Sequence, residues 1–172
     1  TLITGARSGL GKYLSEQIES DTLNRSDELL QVEGFSRDPL GEAVANPVPG
    51  LLHKYHGRVL IVLSGSCAIN CRYCFRRHFS YNDNSALQNW PKIIDYIQKD
   101  SSIEEVILSG GDPLLVDDEQ LKKLLADLEA IQHISTMRIH TRLPVVIPQR
   151  ITGSLIELLD KSRLNIITVL HI

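Results

Sequence analysis

The chain runs to 172 residues, 42% hydrophobic and 23% charged, an ordinary composition with enough length for one domain and a real core. A formal net charge of -3 advertises no nucleic-acid surface, and no apolar run reaches the length that spans a bilayer. The first residues lack the basic start, apolar centre and small-residue cleavage site of a signal peptide, so neither nucleic acid nor membrane is an expected partner.

In chain order, residues 1–20 carry a short apolar start, a glycine-bearing turn at Thr4-Gly5-Ala6-Arg7-Ser8-Gly9-Leu10-Gly11 and a predicted helix through Ile18. Residues 21–57 turn polar, with Pro39, Pro47, Pro49 and several glycines, and read as an irregular wrap. From Arg58 to the end, 58–172, strand alternates with helix. Val59 to Leu63 is a buried-strand run, and Leu87, Ile93, Ile94 and Ile97 have helical spacing within Ala86 to Lys99. Glu105 to Leu108 predicts a strand that stops at Ser109-Gly110-Gly111. A helix follows from about Asp117 to Ile131, its acidic start suiting the positive helix end. Thr136 to His140, Ile151 to Lys161 and Asn165 to Leu170 predict a strand, a helix and a fourth strand.

This alternation predicts an α/β fold with a parallel sheet, either open and doubly wound or curled into a barrel. In both, chemistry gathers at the C-terminal ends of the strands. All three cysteines, Cys67, Cys71 and Cys74, fall just after the first of these strands, and Gly110-Gly111-Asp112 follows the second. Two chemically unusual loops are thus expected side by side.

Three cysteines within eight residues make a poor disulfide framework and a good metal-ligand set, which implies a reducing compartment and the cytoplasm as location. Three thiolates can hold three irons of a cubane cluster and leave the fourth open to a small chelating molecule. Alternatively, Cys67, Cys71 and Cys74 with His78 could close around one structural zinc in a non-catalytic module, although zinc ligands usually come in two separated pairs.

The spacing Cys67-x-x-x-Cys71-x-x-Cys74, with Tyr73 before the third cysteine, resembles the signature of the radical S-adenosylmethionine superfamily. More narrowly, the runs Pro49 to Tyr55, Cys71 to Phe79, Ser109 to Leu114 and Arg138 to Arg150 are similar to the lysine 2,3-aminomutase family. The run Cys74-Phe75-Arg76-Arg77-His78-Phe79 is most similar to the bacterial branch that makes (R)-β-lysine for elongation factor P. A free-lysine 2,3-aminomutase of catabolism is the other enzyme of the family to consider.

The resemblance implies a [4Fe-4S] cluster on Cys67, Cys71 and Cys74, S-adenosylmethionine, pyridoxal 5'-phosphate, L-lysine as substrate and a one-electron reductant as partner. A 5'-deoxyadenosyl radical would take hydrogen from C3 of lysine while nitrogen migrates from C2 to C3. It implies that Tyr73, Gly110, Gly111 and Asp112 lie at the cofactor, Asp112 supplying charge toward the amino group of S-adenosylmethionine. Arg76 would bind the substrate carboxylate, a task that suits its planar fork. Tyr55 and Arg58 match positions near pyridoxal phosphate, and His140 and Arg142, at the end of a strand, are placed to reach the cofactors.

The family fold implied is a partial parallel (βα) barrel, here truncated after about the fourth strand. The lysine that would carry pyridoxal phosphate has no counterpart in these residues, so the chain is expected to be an incomplete fragment with an exposed apolar edge. Residues 1–20 instead resemble the nucleotide-binding turn of short-chain dehydrogenases, without the rest of a dinucleotide fold, and read as a foreign or truncated piece.

Overall fold

A computed structural model describes residues 36–71, 74–76, 78–81 and 83–172. The chain divides into two compact units, Thr1–Leu40 and Gly41–Ile172, and the architecture below is that of the second. The glycine turn at residues 4–11, the helix through Ile18 and the site residue Tyr73 lie outside the described residues.

Strands β1 (Leu51–Tyr55) and β2 (Arg58–Ser64) form an antiparallel hairpin, with Tyr55 opposite Arg58 and Gly57 at positive φ in the turn between them. β1 corrects the reading of this stretch as irregular. The prolines and glycines that suggested a wrap flank the strand, and its hydrogen bonds come from the neighbouring β2.

After β2 come helix α1 (Ala86–Lys99), strand β3 (Glu105–Gly110), helix α2 (Asp118–Glu129) and strand β4 (Thr136–Thr141). A single helical turn α3 (Leu143–Val146), helix α4 (Gly153–Asp160) and strand β5 (Asn165–Leu170) complete the order. The Asp117 carboxylate caps α2 by accepting from the Gln120 N–H, and the Thr152 hydroxyl caps α4 by accepting from the Leu155 N–H.

The five strands lie in the order β1-β2-β3-β4-β5, with β2 to β5 parallel. A doubly wound sheet reverses its strand order at a switch point, whereas a barrel adds each strand beside the last. The sequential order therefore selects the barrel type, and the sheet is open rather than closed.

Side chains alternate across the sheet. Val59, Ile61, Leu63, Val106, Leu108, Met137 and Ile139 pack against Ile93 and Ile97 of α1 and Leu121, Leu125 and Leu128 of α2. Full burial of each such side chain contributes roughly 1.5–3 kcal/mol. By the same alternation the opposite face carries Arg58, Glu105, Arg138 and His140. There Glu105 accepts from Arg138 at 2.6 Å and pairs with Arg58 at 3.4 Å, a charged row across the start of three strands.

Candidate metal centre

The cysteine loop leaves β2 at Ser64, and its first residues are fastened to the end of β3. Gly111 N–H donates to the Ser64 carbonyl at 2.6 Å, and Asp112 N–H donates to the Ser66 carbonyl at 2.8 Å. The approach is so close that a Cβ on Gly111 would lie 2.2 Å from the Ser66 oxygen. One on Gly110, at φ 108°, would lie 2.6 Å from the Ser64 oxygen. The backbone that approaches these glycines is that of the cysteine loop itself.

Asp112 is likewise turned inward. Oδ1 accepts from the Leu114 N–H at 3.1 Å and the Thr141 hydroxyl at 2.7 Å. Oδ2 accepts from the N–H groups of Arg142 at 2.8 Å and Leu143 at 3.0 Å. A carboxylate with four protein donors, 5% exposed, joins the β3 loop to the start of α3. Beside the expected role of offering charge to a cofactor amino group, both of its oxygens thus hold protein donors.

That junction aims Arg142. Its Nη1 donates to Cys71 Sγ at 2.8 Å and its Nε to the His171 carbonyl at 3.1 Å. Desolvation, then the charges of Asp112, Cys74 and Cys71, push the Cys67 thiol up to about 11, with Arg142 opposing. Cys67 as a residue is exposed, so the shelter is local to its sulfur. Cys67 thus lies in the field of Cys71, Cys74 and Arg142, just past the C-terminal end of β2.

Among the described residues, no three His, Cys, Asp or Glu side chains are gathered tightly enough to hold a metal ion. A single zinc draws every ligand onto one atom, with Zn–S about 2.3 Å, whereas a cubane offers each thiolate a different iron. Three thiols on one loop, one already receiving a guanidinium N–H, are a donor set suited to the cluster. Cluster sulfurs are commonly stabilised by such hydrogen bonds.

Arg76 is almost fully buried. Its Nε donates to both Glu42 oxygens at 3.1 and 2.9 Å, its Nη2 to Glu42 Oε1 at 2.6 Å and its Nη1 to the Ser109 hydroxyl at 3.2 Å. His140 lies in the field of Arg76, and its Nε2 is buried with no hydrogen-bond partner among the described residues. Desolvation is the chief cause that lowers the His140 pKa below its ordinary 6.5, followed by the charges of His171, Arg138 and Arg76. Desolvation raises the Tyr81 phenol to about 12 in the fields of Arg76, Cys74, Cys67 and Glu42.

The structure thus brings together Cys67, Cys71, Cys74, Arg76, Gly110, Gly111, Asp112, His140 and Arg142. Tyr55 and Arg58 lie elsewhere, at the hairpin turn, where Arg58 pairs with Glu105 at the start of β3. Sequence reasoning did not single out Glu42, Tyr81, Ser109 or Thr141, although Ser109 and Thr141 fall within the quoted runs Ser109 to Leu114 and Arg138 to Arg150.

Residues 61–169 match the model of the Radical SAM superfamily. The chain is 55% identical over 146 residues to L-lysine 2,3-aminomutase of Haemophilus influenzae, covering 84% of this chain and 43% of that protein. It is 51% identical over 151 residues to L-lysine 2,3-aminomutase of Escherichia coli, covering 87% and 44%. The enzyme of that name from Clostridium subterminale is 40% identical over 149 residues, covering 86% and 36%. The chain spans less than half the length of these curated relatives.

Proposed function

The chain belongs to the radical SAM superfamily, and on that premise we propose that it is the cluster-binding part of a lysine 2,3-aminomutase. The observation that carries the reading is the convergence of Cys71, Arg142 and Asp112 at the strand ends, beside a buried arginine. Likeness to three L-lysine 2,3-aminomutases over more than four-fifths of the chain supports the substrate.

In this reading Cys67, Cys71 and Cys74 hold a [4Fe-4S] cluster, with Arg142 donating to one sulfur. The backbone at Gly110 and Gly111, together with Tyr73 and His140, borders S-adenosylmethionine. Tyr55 and Arg58 lie toward pyridoxal phosphate on the open face of the sheet, and Arg76 receives the carboxylate of L-lysine. Bound together, the three cofactors supply the radical chemistry by which an amino group moves between adjacent carbons. The protein's own contributions are narrower. Asp112 fixes the loop that carries Arg142, and Glu42 and Ser109 fix Arg76.

The product proposed is (R)-β-lysine for the modification of elongation factor P, in the cytoplasm, with a one-electron reductant as partner. The support is the run from Cys74 to Phe79, with histidine at position 78. Among the described residues, no helix is long and apolar enough to cross a membrane.

Anaerobic reconstitution of the whole protein with iron and sulfide tests the reading. We expect the brown absorbance of a four-iron cluster, and an electron-resonance signal after reduction that changes when S-adenosylmethionine is added. Lysine turnover should then yield the (R) isomer on chiral chromatography. The (S) isomer would assign the enzyme to free-lysine metabolism, and a colourless protein holding one zinc would refute the radical chemistry.

A further inference from the structure

We infer that Glu42 is the positioning residue for Arg76, holding its guanidinium so that two N–H groups remain for the substrate carboxylate. The inference rests on the proposed role of Arg76. It concerns a residue 34 positions upstream of that arginine, outside the cysteine loop and outside every strand.

A guanidinium has five N–H donors in a rigid plane. Nε–H spans the two Glu42 oxygens, one Nη2 hydrogen reaches Oε1 at 2.6 Å, and one Nη1 hydrogen reaches Ser109 Oγ at 3.2 Å. Among the described residues, one hydrogen is left on each Nη. Donors on two adjacent nitrogens are what a carboxylate takes as a fork.

The plane is held on three sides. Glu42 grips the Nε edge, Ser109 at the end of β3 grips the opposite corner, and the Phe75 ring lies 4.7 Å from the guanidinium carbon. The Glu42 and Arg76 side chains are only 10% and 8% exposed, so this is not a solvent-screened surface pair. Glu42 is itself fixed, since its carbonyl accepts from the Ala45 N–H at 3.1 Å in the short 3-10 turn Ala43–Ala45. A flexible cation would attract any anion. A clamped fork whose charge is already balanced selects a carboxylate by the direction of its donors.

Calorimetric binding of L-lysine and L-lysine amide to the reconstituted, unreduced holoenzyme separates positioning from mere support. Glu42→Ala should weaken lysine about tenfold or more, while the amide, which lacks the carboxylate, moves less than about threefold. Glu42→Gln keeps one acceptor oxygen and should fall between, and Glu42→Asp should recover part of the affinity. Under turnover, KM for lysine should rise with a smaller change in kcat, and iron per chain should match the parent enzyme.

Equal weakening of lysine and the amide would reduce Glu42 to a structural support, and tighter lysine binding would make it a competitor for the guanidinium. Either result overturns the inference. Should Glu42→Ala fail to take up iron, the isosteric Glu42→Gln decides by the same lysine-to-amide ratio. Arg76→Met separates the two layers of argument. If it leaves lysine affinity unchanged, the assigned role of Arg76 fails; if it weakens lysine while the Glu42 variants keep the parent ratio, only the inference about Glu42 fails.

Discussion

Replacing Asp112 by alanine removes an acceptor from four donors at once, at a residue only 5% exposed. The donors do not suffer equally. Leu143 N–H also reaches Thr141 Oγ1 at 3.0 Å, and the Thr141 hydroxyl can rotate, so those two keep partners. The Leu114 N–H has no other acceptor among the described residues, and the Arg142 N–H loses its bond to Oδ2. Hydrogen bonds to a charged group are worth about 1.5–3 kcal/mol each, so Asp112→Ala should cost about 3–5 kcal/mol. Asp112→Asn fits the same space, and by turning its amide nitrogen toward Thr141 it loses chiefly the Leu114 contact, for about 2 kcal/mol. Urea unfolding measures both. The sole tryptophan, Trp90 on α1, donates to Asp127 on α2 at 2.7 Å and reports global loss of packing by fluorescence. A cofactor-facing carboxylate would behave oppositely, leaving stability intact and weakening only S-adenosylmethionine. If Asp112→Ala lies within about 0.5 kcal/mol of the parent, the size of an ordinary surface change, the structural assignment is refuted.

Gly111→Ala should drive a methyl group into the Ser66 backbone, where no flexible side chain can yield, and cost about 3 kcal/mol or displace the cysteine loop. Iron bound per chain after reconstitution checks this; Gly153→Ala, with nothing within 4 Å of its added carbon, is the control expected to be neutral or slightly stabilising. His140 gives a pH signature. Its folded pKa is depressed, so the unfolded chain protonates first on acidification, and the stability this contributes is complete above the ordinary 6.5 and is lost as pH falls through the lower folded value. His140→Gln should therefore flatten the fall in stability just below pH 6.5; an unchanged slope would mean that His140 is not the group concerned.

Much of the fold was legible because its signals are local. The apolar run from Val59 to Leu63, the 3.6-residue spacing through Ile93 and Ile97, and the Asp117 cap each act within one turn or strand, and each element appears where those residues place it. β1 was not legible, because its partner is β2 and its own five residues, Leu51 to Tyr55, alternate poorly. The site divides in the same way. The cysteine spacing is a property of one loop and can be read from the string. Glu42 cannot, since it reaches Arg76 across 34 residues, and neither can the inward turn of Asp112, which depends on donors 29 to 31 residues away.

Several groups at the strand ends are engaged with the protein itself. Asp112 is spent on Leu114, Thr141, Arg142 and Leu143, and the two glycines are spent on Ser64 and Ser66. Among the described residues, two N–H groups on Arg76 and the buried Nε2 of His140 have no protein partner. A buried polar atom without a partner is rare enough in native proteins to ask for one. Its place on the polar face of the sheet, near Arg76, puts that missing partner on the side where a ligand would lie. Arg76 and His140 thus stand among neighbours of two kinds: Ser109, which falls in a quoted run, and Glu42 and His171, which fall in none.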